Sequence, residues 1–236
     1  MTAQHSSASP LWGTSRPLVD LSRVVLGRID LDPFSDPTWN VIVGAKRILT
    51  ERDDAFRCRW FEGAPMASHI LKAPDGCGSD NARPHTSHVN GPGDLSGRVI
   101  KDAWRLTEWH HRTGWLGGGV IWIAFNIGQL QTLQADAPRS LLHPDFLRCI
   151  PSSRVAYEES PSARAERLAQ LTTVQREIAD AKGKRLARLR KRAAALSRCA
   201  SPPHASAVVL LPAHGAAGDV QREVFRVVAG RLGECF

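Results

Sequence analysis

No apolar run in this chain approaches the length needed to cross a bilayer, which excludes a membrane-spanning helix read from sequence. The first ten residues are rich in Ser and Ala but have no apolar centre, so they resemble a frayed tail and not a secretory signal. Cysteine is sparse and unpaired. Cys58, Cys77, Cys149, Cys199 and Cys235 are odd in number, widely scattered and form no CxxC pair. That argues against a disulfide framework and a structural zinc, and for a reducing cytoplasm. His85 and His88 with Cys77 lack the second ligand pair that a zinc site needs, so no metal is expected.

The 236 residues suffice for a full core, and one domain carrying an insertion is the expected plan. The formal charge of +8 is unevenly spread. Between Arg176 and Arg198 nine basic side chains face only Glu177 and Asp180, a local charge of +7 that leaves the remainder near neutral. A basic element on a neutral body suggests attraction to a polyanion, most simply nucleic acid, with a solvated helix face as the plain alternative.

Strand-like and helix-like stretches alternate. Leu18, Leu21, Val24 and Val25 recur at helical spacing and Gly27 fits their stop. A strand at residues 29–31 follows, then a helix opened by Asp36-Pro37 and capped by Ser35 or Asp36, running through Val41, Ile42, Ala45 and Ile48. Trp60-Phe61 reads as a short strand. Residues 62–88, rich in Gly, Pro, Asp, Asn and Ser, read as a long mobile loop. Next come a strand ending at Asn90 and a helix over residues 99–112, whose His110-His111 pair is expected on a solvated face. Val120-Ile121-Trp122-Ile123-Ala124-Phe125 reads as a strand buried on both faces, as in a parallel sheet. A helix over 126–134, a strand over 154–157, a long helix or broken helical pair over 163–198, a strand at 208–211 and a helix over 220–232 complete the chain. This alternation predicts an α/β sheet with helices on both faces.

Two strand ends carry the chemistry. Arg28-Ile29-Asp30-Leu31-Asp32-Pro33-Phe34 stops on two carboxylates, and Val89-Asn90-Gly91-Pro92-Gly93 stops on a carboxamide beside a proline turn. Ligands of α/β sheets gather at such carboxyl edges. One aspartate is expected to accept from an amine or hydroxyl of a cofactor while the other caps the turn. Asp53 and Asp54 are a weaker choice for that carboxylate and read better as a solvated loop.

These segments resemble, in order and spacing, the phage-type DNA N6-adenine methyltransferases. The matching residues are Leu11-Trp12-Gly13-Thr14, then Ile29-Asp30-Leu31-Asp32-Pro33-Phe34-Ser35, residues 40–45, Trp60, and Val89-Asn90-Gly91-Pro92-Gly93 with Lys101 and Trp104. Residues 121–125 with Gln129-Leu130, residues 151–154, and Ser201-Pro202-Pro203-His204 complete them. The resemblance implies a Rossmann-like class I methyltransferase fold formed by residues 11–158 and 200–236, with residues 1–10 a disordered tail and 159–199 a basic helical insertion. It implies S-adenosylmethionine as cofactor, bound by Trp12, Thr14, Asp30, Asp32, Pro33 and Phe34. It implies methyl transfer to an exocyclic amine of a DNA base, most simply adenine N6, by Asn90, Gly91 and Pro92, in the cytoplasm of a bacterium or phage-infected host.

The family's Asn-Pro-Pro-Gly stands here as Asn90-Gly91-Pro92-Gly93. The Gly91 carbonyl keeps the second acceptor, and Gly91→Pro is expected to maintain or raise activity by stiffening the turn. DNA is the expected partner, its phosphates met by Lys182, Lys184, Arg185, Arg188, Lys191 and Arg192. Phe34, Trp39 or a residue of the 62–88 loop could stack on an extruded base. Cytosine-N4 methylation, a catalytically silent DNA-binding protein, and an interaction protein that self-associates through the insertion are the alternatives.

Overall fold

The computed structural model describes residues 12–13, 15–73, 83–91, 97–124, 127–134, 137–153, 158–159, 161–197 and 206–236. Thr14, Pro92, Cys77, Cys199, the 1–10 tail, the 154–157 strand and Ser201-Pro202-Pro203-His204 lie outside the described residues.

A short strand β1 (Trp12–Gly13) leads into helix α1 (Arg16–Leu26), which Gly27 ends with φ 73°. Strand β2 (Leu31–Asp32) follows, then α2 (Pro37–Val43), whose N-terminal amides of Thr38 and Trp39 donate to the Asp36 carboxylate. This helix stops earlier than its apolar pattern suggests. Gly44 adopts a left-handed φ of 66° and turns the chain into β3 (Arg47–Ile48), so Ile48 is a strand residue. Trp60-Phe61 forms no strand; both side chains are buried in a turn-rich stretch. Residues 62–73 do not form the open loop expected of them: they contain α3 (Ala67–Ile70), with Ala64, Ala67 and Ile70 buried.

Strand β4 (Ser87–Asn90), helix α4 (Arg98–Arg112), strand β5 (Val120–Ala124) and helix α5 (Gly128–Thr132) continue the alternation. Strands β6 (Leu147–Pro151) and β7 (Glu158–Glu159) precede a helical pair, α6 (Pro161–Asp180) and α7 (Gly183–Ser197). The chain closes with β8 (Ala207–Leu211), α8 (Ala216–Ala229) and β9 (Gly233–Cys235).

Seven strands form one sheet in the order β3-β2-β4-β5-β8-β6-β9, and β1 pairs with β7 separately. The pairs β2–β3, β2–β4 and β4–β5 are parallel, whereas β8 runs antiparallel to both β5 and β6, and β9 antiparallel to β6. The sheet is therefore mixed. Strand β5 is buried on both faces as its apolar run predicts, but one of its two neighbours is antiparallel.

Alternation along the strands builds two cores. Val120, Trp122 and Ala124 of β5, with Val209 and Leu211 of β8, pack with Trp104 and Leu106 of α4. Ile121 and Ile123, with Val208 and Leu210, pack with α1 (Leu18, Leu21, Val25) and α8 (Phe225, Ala229). Helices thus cover both faces.

The surface assignment of His110 and His111 is overturned. Both are buried, because α4 is enclosed on nearly every side. The His110 ring stacks on Trp60 at 4.8 Å between centroids. His111 lies 2.8 Å from the Pro212 carbonyl through Nε2 and 3.0 Å from Arg139 Nη2 through Nδ1. The carbonyl can only accept and the guanidinium only donate, which fixes the neutral tautomer with the proton on Nε2. Burial pushes both rings down to about 3. Buried Glu108 joins this cluster through Arg139 at 2.8 Å and Arg112 at 3.3 Å.

Residues 163–198 are a helical pair. Gly183, at φ 58°, follows the break, and Val174 and Leu189 are buried at the seam. Arg167 reaches from α6 to the Leu196 carbonyl near the end of α7, so the two helices run antiparallel.

Candidate functional site

The chain order makes one edge of the sheet special. From β2 it moves outward to β3, then returns past β2 to place β4 on the other side. The crevice outside the carboxyl ends of β2 and β4 is therefore the topological switch point of the parallel part, where α/β sheets bind ligands. Asp32 ends β2 and Asn90 ends β4.

Register puts their side chains on the same face. Leu31 pairs with Ser87, so Asp32 shares its parity with His88 and Asn90. Two residues of rise and one strand spacing separate Asp32 from Asn90, roughly 8 Å between Cα atoms. His88 and Asn90 pair with Ile121 and Ile123, whose side chains pack on the α1 face. Helix α1 runs back along that face: its last turn leads into the start of β2, and Ser22, in its middle, bonds His88. Its N-terminus at Ser15 is thus carried toward the carboxyl edge.

Four polar groups on this face stand out. The Asp32 side chain is 2% exposed and has no ion-pair partner among the described residues. Burial raises its carboxyl from 3.8 to about 7, and the Phe34 amide and Ser35 hydroxyl that donate to it only partly offset that cost. Asn90 Oδ1 and Ser15 Oγ are buried with no hydrogen-bond partner among the described residues. His88 is likewise buried, and its Nε2 has no such partner. The Ser22 hydroxyl donates to the Leu18 carbonyl at 2.9 Å, so the 2.8 Å contact to His88 must be donated by Nδ1–H. Nε2 is then a bare acceptor, and burial holds the ring near 4. Unpartnered buried polar atoms are uncommon in folded proteins and call for a partner supplied from outside. Two of them, on His88 and Asn90, share the face of a buried, ion-pair-free carboxylate on the neighbouring strand, which makes this strand end the candidate polar ligand site.

Asp30 does not join this group. It precedes β2 at the opposite edge, where it accepts from the Thr86 amide at 3.0 Å, Arg28 at 3.0 Å and Lys46 at 3.2 Å. Burial raises its pKa, but these donors outweigh it and hold the carboxyl below its ordinary value. Asp30 fastens the start of β2 to the residue before β4, away from the carboxyl edge, which is a structural role. Pro33 is buried directly after Asp32, and Phe34 is half-buried against Phe56 at 5.4 Å and Trp60 at 5.9 Å. The backbone of Trp12 and Gly13 pairs with Glu159 and Glu158 three residues before α1 begins its first turn. Asp53 caps its own turn by accepting from the Thr50 amide and hydroxyl.

Gly91 is buried with an ordinary φ, so the turn does not need its flexibility. It needs the missing Cβ. A Cβ built there would lie 2.4 Å from Ile100 Cδ1 and 3.0 Å from the Trp122 ring. Ile100 and Trp122 stand in the volume a proline ring would take, so Gly91→Pro requires at least the terminal methyl of Ile100 to move.

The six basic residues Lys182, Lys184, Arg185, Arg188, Lys191 and Arg192 are all exposed, with Leu186 and Leu189 turned toward the seam. Arg185 sits 4.0 Å from Glu177. Among the described residues the contacts of α6 and α7 are chiefly with each other. Among the described residues no cluster of His, Cys, Asp or Glu could hold a metal ion, and no helix is long and apolar enough to cross a membrane. Sequence reasoning missed Ser15 and weighed His88 only as a metal ligand. The signal for Ser15 was its place before Arg16-Pro17, an N-cap pattern; for His88 it was its two-residue spacing from Asn90. No protein-family model matches the chain, and no curated protein or solved structure is significantly similar to it.

Proposed function

We propose that this protein is an S-adenosylmethionine-dependent methyltransferase that modifies an exocyclic amine of a DNA base, adenine N6 in the first instance. The observation that carries the reading is the pairing, at the switch point, of a buried ion-pair-free carboxylate (Asp32) with a buried unpartnered carboxamide oxygen (Asn90) on the adjacent strand.

The residues fit such a cofactor. Asp32 offers lone pairs to hydroxyl or ammonium donors, and a cationic ligand beside it would favour its ionised form. Ser15 Oγ and the positive end of the α1 dipole suit a carboxylate at the same edge. When bound, the cofactor would supply an electrophilic sulfonium methyl at this edge.

The chain's own part is alignment. A base amine is a poor nucleophile because its lone pair is delocalised into the ring. Asn90 Oδ1 and the Gly91 carbonyl, accepting its two protons, would favour a pyramidal nitrogen whose lone pair points at the donor. No strong base is required. The basic face of α7 supports a DNA partner through unspecific attraction to phosphates.

The test is incubation of DNA with the protein and methyl-labelled S-adenosylmethionine, followed by mass spectrometry of the nucleosides. Labelled N6-methyl-2′-deoxyadenosine is the expected product. Labelled N4-methyl-2′-deoxycytidine would move the substrate to cytosine, and absence of any labelled nucleoside together with flat calorimetry for the cofactor would refute the reading.

A further inference from the structure

The cysteines are scattered along the chain, yet the fold sets two of them face to face. Strand β9 ends the sheet order and pairs antiparallel with β6, with Cys149 directly opposite Cys235. The backbone bonds around them decide what kind of pair this is. The Arg148 amide donates to the Phe236 carbonyl and the Phe236 amide to the Arg148 carbonyl, each at 2.9 Å, so Arg148 and Phe236 are a hydrogen-bonded pair. The Ser152 amide donates to the Leu232 carbonyl at 2.9 Å, in step with them. Hydrogen-bonded and non-hydrogen-bonded pairs alternate along an antiparallel ladder, which makes Cys149 and Cys235 a non-hydrogen-bonded pair. In such pairs the strands approach most closely, with Cα atoms about 4.5 Å apart. A disulfide needs about 4.4–6.8 Å between Cα atoms, and residues directly opposite present their side chains to one face. The bond can therefore close without moving the backbone.

Both sulfurs lie on the face covered by α1 and α8. Cys149 is buried and its thiol donates to the Ala229 carbonyl at 3.3 Å, whereas Cys235 is half-buried and open to a reagent from solvent. The two thiols are within hydrogen-bonding reach of each other. Burial, and next the adjacent Cys235 thiol, push the Cys149 thiol well above its ordinary range, so Cys149 is a poor first nucleophile. Oxidation removes its bond to Ala229, but that carbonyl still accepts from the Leu232 amide at 2.8 Å, and no buried polar group is orphaned. Among the described residues no third His, Cys, Asp or Glu gathers with the pair to hold a metal ion.

We propose that Cys149 and Cys235 are a reversible thiol–disulfide site, oxidised by a low-molecular-weight disulfide, that locks strand β9 onto β6. The Cys235 thiolate attacks one sulfur of the reagent, forms a mixed disulfide and expels the first reagent thiolate. The Cys149 thiol then gives up its proton, its sulfur attacks Cys235 Sγ, and the second reagent thiolate leaves. Two protein thiols are oxidised by two electrons, the reagent's S–S bond is reduced to two thiols, and the two protons released by the protein end on those products. The lock has something to hold. Strand β9 is three residues long and paired on one side, so it is readily opened. The bond would also close a loop of more than eighty residues that carries the helical pair, β8 and α8, and so restrain the unfolded chain. It lies toward the other margin of the sheet from Asp32 and Asn90 and is independent of the methyl-transfer reading.

The test treats the folded full chain with glutathione disulfide under native conditions, blocks remaining thiols with iodoacetamide, and reads an unreduced digest by mass spectrometry. The expected result is a linked Cys149–Cys235 peptide pair, lighter by two hydrogens than its separate parts, that dithiothreitol reverses. The oxidised protein should melt about 5–15 °C higher than the reduced one. In Cys235→Ser neither the bond nor the rise should appear. In Cys149→Ala the reagent should stay attached to Cys235, because no second thiol displaces it. A wild-type digest in which Cys235 stays unreacted or carries only the reagent overturns the proposal, as does a preferred link from either residue to Cys58, Cys77 or Cys199. A bond formed without a rise in melting midpoint overturns the locking role. The wild-type digest decides the pairing by itself if a variant fails to fold.

Discussion

Replacing Asp32 by Asn should make the protein more stable and weaken binding of the proposed S-adenosylmethionine, and the pH dependence of the gain can be worked out in advance. The carboxyl is pushed from 3.8 to about 7 by burial, with only neutral donors around it. In the unfolded chain it loses its proton near 3.8; in the folded chain it keeps the proton to about 7. The folded state thus binds more protons in this window, so wild-type stability falls as pH rises from 3.8 and levels off above about 7. At 1.36 kcal/mol per unit, the charge costs the fold about 4 kcal/mol at pH 8. An asparagine keeps the acceptor for the Phe34 amide and carries no such cost. Urea unfolding of both proteins at pH 6 and pH 8 isolates the effect, because all other groups titrate alike and cancel. The advantage of Asp32→Asn should grow by about 1.5 kcal/mol between the two pH values. Isothermal calorimetry should show weakened binding of S-adenosylmethionine by the same variant. An advantage that stays level from pH 6 to pH 8 would refute the argument that this carboxylate is a desolvated group held ready for a ligand.

Asn90→Ala should lower methyl transfer by about 10²–10³-fold while leaving cofactor affinity unchanged, because its oxygen is assigned to the amine alone; turnover with labelled cofactor and calorimetry read the two effects separately. Gly91→Ala should destabilise the fold by about 1–3 kcal/mol through its collision with Ile100 and Trp122, and Ile100→Val, which deletes the colliding methyl, should recover part of the loss in denaturant titrations. Below its ordinary value of 6.5, each of His88, His110 and His111 protonates first in the unfolded chain, since burial holds them near 4, 3 and 3 in the fold. Stability is then full above pH 6.5 and is lost as pH falls, by about 2 kcal/mol for each ring at pH 5. Thermal unfolding between pH 7 and pH 5 should show a steep drop in midpoint, and a constant midpoint would contradict the burial of these rings.

Sequence reasoning reached the elements whose pattern is long or whose ends are marked. Helix α1 was legible from its apolar spacing and Gly27, and β5 and β8 from runs of unbroken apolar residues. Strands β3 and β9, of two and three residues, are too short to carry a period and went unread. The burial of His110-His111 was illegible because a helix records its own periodicity but not how many sides its neighbours cover. At the site, Asp32 and Asn90 announced themselves as polar strand ends. What the sequence could not reveal was that β2 and β4 are adjacent, so that the chain reverses direction between these two residues, or that Asp30, two positions from Asp32, is consumed by Arg28, Lys46 and Thr86. The first fact, and the Thr86 amide in the second, depend on pairing partners more than fifty residues away.

The placement of β8 has a consequence for how the protein is made. In space it separates β5 from β6, yet in the chain it follows both, after the whole helical pair. While the ribosome completes residues 125–206, the flank of β5 that will pair with β8 has no partner, and its side chains are five apolar residues in a row. At ordinary elongation rates that interval is roughly 5–15 s, long compared with the folding of a small domain. The nascent four-stranded half therefore passes through a stage in which its most adhesive margin is open. The highly charged α6–α7 segment emerges during that same interval, and its mutual repulsion between neighbouring nascent chains would discourage the open margins of adjacent copies from pairing with each other.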